Sequence, residues 1–164
     1  MKVLAINGSP EPMGNTSNIL NEVQDMFERN GIEMEIVHIY DYRLTNCNVC
    51  FTCEIRGDGR CYQNFLERAM LVFQNSGVPL TGKVGGAFSV CRHDGGSLVY
   101  NQLVDFLLRN GLLVAGSYPL PIVRAWHSPD YEDDEYGMKG IRAMVGRMTD
   151  ALVRLEGTEP SMDM

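Results

Sequence analysis

Gly8-Ser9-Pro10-Glu11-Pro12-Met13-Gly14-Asn15-Thr16-Ser17 is the stretch whose reading decides the fold. It follows an apolar run at residues 3–7 and precedes a segment of helical periodicity, so it reads as the turn of a βα unit. A parallel strand that passes through a Gly- and Ser-rich turn into a helix leaves backbone N–H groups and the positive end of the helix dipole aimed at one spot. Such a spot attracts a phosphate. Ser9, Thr16 and Ser17 add hydroxyls and Asn15 adds an amide, all of them uncharged donors. Neither GxGxxG nor GxxxxGK(S/T) fits the stretch, which argues against a dinucleotide fingerprint and a nucleoside-triphosphate loop. The plainer alternative is a turn in which Thr16 or Ser17 only caps the helix.

Outward from this turn, Ile19, Leu20, Val23, Met26 and Phe27 recur on one helical face, and Gly31 is placed to stop that helix. Residues 33–40 (EMEIVHIY) alternate and are rich in β-branched side chains, which predicts a second strand; a right-handed crossover makes it parallel to the first. A helix is expected over residues 62–75, a buried strand over 83–91, a helix over 98–110 and a last strand over 112–117. Met138, Ile141, Val145, Met148, Leu152 and Leu155 then form the apolar stripe of a final helix, read as core rather than partner surface. Alternation of strands and helices of this kind specifies an α/β fold. The expected organisation is one domain over residues 1–156, with a Cys-rich loop at 41–61 and a tail at 157–164.

The chain has 164 residues, enough for one domain with a real core, and its 45% hydrophobic and 21% charged content is that of a globular protein. Fourteen Lys and Arg against 21 Asp and Glu give a net charge of -7, with no basic run to follow a nucleic-acid backbone. No basic segment precedes an apolar one, and no apolar run approaches the ~18 residues of a membrane span. The expectation is therefore a cytoplasmic protein with no nucleic-acid partner and no membrane.

Four of the five cysteines, Cys47, Cys50, Cys53 and Cys61, lie in a CxxCxxC run followed after a Gly-containing turn by a fourth. Three thiolates spaced by three wrap a short loop around one centre and the fourth closes it, which is the logic of a 4Fe-4S cluster. Zinc sites more often use two separated CxxC knuckles, and a reduced loop without metal is the remaining reading.

The segments KVLAING and GSPEPMGNTSNIL together resemble the flavin-phosphate loop of the flavodoxin-like NAD(P)H-dependent FMN reductases and iron-sulfur flavoproteins. The resemblance implies that Ser9, Asn15, Thr16 and Ser17 hold the FMN phosphate and places Pro10 and Gly14 in the same cofactor-binding loop. Where many members of the family carry a basic residue, this chain has Glu11, whose carboxylate would repel a phosphate unless it points away. The loop at residues 90–96 resembles the family's third flavin loop and adds Cys91, Arg92, Gly95 and Gly96 to the implied site. Arg92 there would stabilise a reduced, anionic flavin. Residues 116–119 (GSYP) match the end of the family's last strand. The four clustered cysteines occupy the place where iron-sulfur flavoproteins bind their cluster.

One unit of the family is absent. Between about residues 61 and 63 the family has a helix, a central strand and a GSPxY-like loop lining the flavin ring, roughly 30 residues or more in such units. The fold expected is thus a flavodoxin-like parallel sheet with helices on both faces and four strands rather than five. Residues 3–7 and 84–90 are expected to pair directly, narrowing the flavin-ring site. The leading functional expectation is an FMN-dependent redox protein passing electrons between FMN and a 4Fe-4S cluster. NAD(P)H or a protein is its electron donor, a small molecule or protein its redox partner, and a homo-oligomer its assembly. The alternatives are a cluster-free NAD(P)H:quinone or nitro reductase, and a flavin-less remnant whose Cys loop holds zinc or no metal.

Overall fold

In the computed structural model, which describes residues 1–41, 69 and 80–156, the apolar run forms strand β1 (Lys2–Asn7). Helix α1 (Asn15–Glu28) follows, and its apolar face buries Ile19, Leu20, Val23 and Phe27. Gly31 turns the chain in the left-handed region (φ +72°), letting Ile32 N–H bond to Phe27 O. Strand β2 (Glu33–His38) then pairs parallel to β1, with Lys2 opposite Glu33 and Asn7 opposite His38. It is shorter than the sequence suggests, because Ile39–Asp41 winds into a 3-10 turn.

The predicted strand over 83–91 is present in two pieces, β3 (Val84–Gly85) and β4 (Ser89–Cys91). Helix α2 (Gly96–Arg109) follows, two residues earlier than its periodicity indicates, because Gly95 at φ +91° takes the N-cap position. The last strand is likewise divided into β5 (Leu113–Val114) and β6 (Ile122–Arg124), parallel to β3 and β4 respectively. Between the two ladders this strand runs four residues longer than its partner: Val84 opposes Leu113, whereas Ser89 opposes Ile122. The strand expected to end near residue 117 therefore continues to Arg124, and GSYP lies within its excursion instead of at its end. Helix α3 (Glu135–Leu155) closes the described chain, capped by Asp134, whose carboxylate accepts from Gly137 N–H.

The core lies where α1 and α3 meet the sheet, with Phe27, Ile32, Val123, Ile141 and Val145 almost fully buried. Met138, Ile141, Val145 and Met148 confirm the stripe of the last helix as core, while Leu155 at its end is exposed. Two glycines let α3 lie against strand backbone: a Cβ on Gly137 would stand 2.5 Å from Ile122 O, and one on Gly140 would stand 2.6 Å from Leu120 O.

The direct pairing expected between residues 3–7 and 84–90 is not formed. Among the described residues β1 is hydrogen-bonded to β2 alone, and the β3/β4 strand to the β5/β6 strand alone. Helix packing explains this. Helices α1 and α3 pack on each other beneath both strand pairs. Packed helices stand ~8–10 Å apart, close to two strand spacings of ~4.8 Å, a spacing that does not favour direct pairing of the strands lying over them. Counting each interrupted strand once, the described residues contain four parallel strands, as expected. The predicted helix at 62–75, apart from residue 69, the four clustered cysteines and the tail at 157–164 lie outside the described residues.

Candidate functional site

The turn after β1 is shaped by its own side chains. Asn7, fully buried, accepts from Ser9 N–H through Oδ1 (2.9 Å), and Ser9 Oγ accepts from Glu11 N–H (3.2 Å), two successive side-chain-closed turns. Since Asn7 Oδ1 is fixed as the acceptor, its Nδ2 donates to Ser17 Oγ (2.9 Å) and to His38 Nδ1 (3.0 Å). His38 thus carries its proton on Nε2 when it accepts that bond. Glu11 O receives Gly14 N–H (3.2 Å) and the Ser17 hydroxyl (3.4 Å). The hydroxyl of Ser17 is committed to the loop and the helix begins at Asn15, so neither Thr16 nor Ser17 is the N-cap. Gly14 occupies that position and offers no side-chain cap. A Cβ on Gly14 would meet Glu11 Cγ at 2.9 Å, so glycine is what lets the loop fold back on the Glu11 stem.

The backbone N–H groups of Asn15, Thr16 and Ser17 are left without an acceptor among the described residues. Asn15 and Thr16, though not Ser17, border a cavity of about 370 Å³ lined by residues 9, 11 and 13–16, by 90–92 and by 125–128. Thr16 Oγ1 also makes no hydrogen bond among the described residues, and Ser9 Oγ retains its own proton to donate. Three unpaired amides at a helix N-terminus beside two free hydroxyl donors match the chemistry of a phosphate group. Pro10 belongs to this turn without bordering the cavity, and Glu11 lines the cavity.

The far wall is formed where the two carboxyl-terminal strand ends, β4 and β6, stop side by side; Ala125 N–H extends their ladder to Cys91 O (3.0 Å). Cys91, half-buried, borders the cavity and turns its thiol to His93 O (3.4 Å). Arg92 lies over the Trp126 ring at 5.6 Å from its centroid, and His93 meets the same ring edge-on at 4.6 Å. Gly95 and Gly96 do not border the cavity: they start α2, where a Cβ on Gly96 would strike Cys91 Sγ and Ile122 Cγ2. The 125–128 wall escapes sequence reasoning because three prolines around it signal loop. Its signal was an aromatic residue just past the β-branched pair Ile122-Val123, at the carboxyl end of a strand, where open α/β sheets bind ligands.

A polar stripe on α1 grips this wall. Asn15 Nδ2 donates to His127 O (2.8 Å) and its Oδ1 accepts Tyr131 N–H (3.3 Å). One turn on, Asn18 Nδ2 donates to Ser128 Oγ (2.9 Å), and a further turn on, Glu22 Oε1 accepts the Tyr131 hydroxyl (2.9 Å). Burial, aided by the Glu22 carboxylate, pushes the Tyr131 phenol up to about 12. Asp134 secures the other side by accepting Arg124 N–H (2.7 Å). Among the described residues no helix is long and apolar enough to cross a membrane, and no group of three or more His, Cys, Asp or Glu could hold a metal ion.

Residues 1–63 match the family model described as NADPH-dependent FMN reductase. An iron-sulfur flavoprotein of Methanocaldococcus jannaschii is 26% identical over 149 residues, covering 71% of this chain and 76% of its own. One of Archaeoglobus fulgidus is 33% identical over 84 residues, covering 51% of this chain and 38% of its own. Another from that organism is 23% identical over 194 residues, covering 94% of this chain and 99% of its own. Among solved structures, RosB with a bound 8-demethyl-8-formylriboflavin-5'-phosphate superimposes with a TM-score of 0.62 at 17% identity, covering 96% of this chain and 81% of that one. The fold, the N-terminal match and these relatives agree: the chain has a flavodoxin-like fold, is similar over residues 1–63 to the NADPH-dependent FMN reductases, and is similar along most of its length to iron-sulfur flavoproteins.

Proposed function

We propose that the protein is an FMN-dependent oxidoreductase that moves electrons between FMN and a 4Fe-4S cluster on Cys47, Cys50, Cys53 and Cys61, drawing on NAD(P)H or a protein donor. The observation that carries the flavin half is the set of unpaired N–H groups at residues 15–17, of which Asn15 and Thr16 border the 370 Å³ cavity. FMN, when bound, supplies the exchange of a two-electron hydride for single electrons, which a one-electron cluster requires. The protein's own part is binding and positioning. The amides of Asn15, Thr16 and Ser17, with the hydroxyls of Ser9 and Thr16, would hold the phosphate, while Val90, Cys91, Arg92 and Trp126 would form the wall toward the ring. Arg92 brings a permanent positive charge to that wall, suited to a group that gains negative charge on reduction. The cluster half rests on the CxxCxxC spacing and on the relatives' names.

Titration of the purified protein with FMN tests the first half. Thr16→Ala removes one hydrogen bond to a charged group, worth about 1.5–3 kcal/mol, so FMN should bind roughly 10- to 150-fold more weakly while riboflavin is unaffected. Equal FMN affinity in Thr16→Ala and parent would overturn the placement. Iron and acid-labile sulfide measured after anaerobic reconstitution test the second half. About four irons per chain should be retained by the parent and lost in Cys50→Ser, and one zinc without iron would favour a flavin-less remnant.

A further inference from the structure

The Asn15 side chain faces away from the phosphate's task. Its amide is engaged at both ends by two backbone partners on the opposite wall, His127 O and Tyr131 N–H, and these partners fix which end is oxygen and which is nitrogen. Its backbone N–H, by contrast, belongs to the unpaired set at the start of α1. Asn18 and Glu22 continue the same face at i+3 and i+7, holding Ser128 and Tyr131. Trp126 directly precedes the gripped segment and is 46% exposed at the cavity. From these contacts we infer that Asn15 is a positioning residue: its side chain couples the phosphate-binding turn of α1 to the Trp126 wall, and sets where the flat part of a bound flavin meets that wall. The inference rests on the reading of the cavity as an FMN site.

The coupling has a built-in reporter, since Trp126 is the one tryptophan of the chain. In Asn15→Ala both links to the 127–131 segment are lost while the backbone N–H remains. Trp126 emission of the unliganded protein should shift to the red, and its quenching by acrylamide should increase. FMN and riboflavin should then weaken together, by about tenfold for the loss of two neutral hydrogen bonds, leaving the ratio of their affinities as in the parent. Loss confined to FMN, with riboflavin binding and Trp126 emission unchanged, would make the Asn15 side chain a phosphate ligand and overturn the inference. Asn18→Ala, which keeps Asn15 and cuts only the Ser128 link, should move emission in the same direction by a smaller amount and serves if Asn15→Ala does not fold. Unchanged emission in both variants also overturns the inference. If the parent binds neither FMN nor riboflavin, the proposed function fails, yet the emission of the unliganded variants still decides the role of Asn15.

Discussion

Helix α3 carries two glycines whose replacement by alanine has opposite consequences, although the substitution is the same. Gly146 is exposed, and a Cβ there meets nothing within 4 Å. Gly146→Ala should therefore return only the helix-propensity gain of about 0.8–1 kcal/mol. At Gly140 a Cβ would stand 2.6 Å from Leu120 O, 2.7 Å from Pro119 O and 2.8 Å from Leu120 C. These are backbone atoms that no side-chain rotation can withdraw, so α3 must lift from residues 119–123. The propensity gain is common to both variants and cancels when they are compared, which isolates the overpacking cost of about 1–3 kcal/mol. With three backbone clashes the upper part of that range applies, and a gap of about 2–3 kcal/mol separates melting temperatures by roughly 4–12 °C in a domain of this size. Urea and thermal unfolding followed by circular dichroism measure it. Gly140→Ala should also alter Trp126 emission, because the strand it displaces ends at Arg124 beside the Trp126 wall; Gly146→Ala should not. Equal stability of the two variants would refute the close approach of α3 to the excursion between β5 and β6.

Two further outcomes are expected. Glu11→Arg replaces a carboxylate lining the cavity with a cation, so FMN should bind several-fold more tightly at low salt and the gain should shrink at high salt; no change would place the Glu11 carboxylate in solvent. Tyr131 titrates in the folded protein at about 12 against an ordinary value of 10, so folding favours the neutral phenol. Its contribution is intact below pH 10 and is lost as pH rises through about 12, a decline that Tyr131→Phe should flatten in pH-dependent unfolding; an identical alkaline slope in both proteins would exclude Tyr131 as its source.

The first βαβ unit was legible because every local signal agreed: period-two and period-3.6 patterns, a Gly- and Ser-rich turn, and a stop at Gly31. Beyond it, local pattern and long-range pairing part company. Residues 83–91 read as one strand, but its ladder breaks where the partner strand makes its four-residue excursion. Gly86 lies in that break, where a Cβ would stand 2.5 Å from Met148 Sδ. Strand β6 was hidden since Pro119, Pro121 and Pro129 dominate its surroundings, and only pairing with β4 makes Ile122–Arg124 a strand. At the site, the residue types in the turn announced an anion, but not which atoms face it. Ser17 spends its hydroxyl on Glu11 O within the turn itself, while Asn15 spends its amide on the opposite wall, a commitment that depends on neighbours more than a hundred residues away.

The absent unit changes the site less than its size suggests. The alignment with one Archaeoglobus fulgidus relative runs to 194 positions against a chain of 164 residues, so at least thirty of them are residues this chain lacks, wherever they fall. That is the length of one strand with its crossover. Loss of a central strand could have drawn β1 against β4 and brought the turn at Ser9 onto the loop at Cys91. Instead Phe27, Ile141 and Val145 fill the space between α1 and α3, and a close-packed core resists being crushed together, so among the described residues β1 and β4 stay unpaired. The turn at residues 8–14 stays on β1, Arg92 and Trp126 stay at the ends of β4 and β6, and the cavity between them persists. The spacing of the site is therefore a property of the helix layer, and the side chains of Asn15, Asn18 and Glu22 transmit that spacing to the wall, which among the described residues no strand pairing ties to the turn.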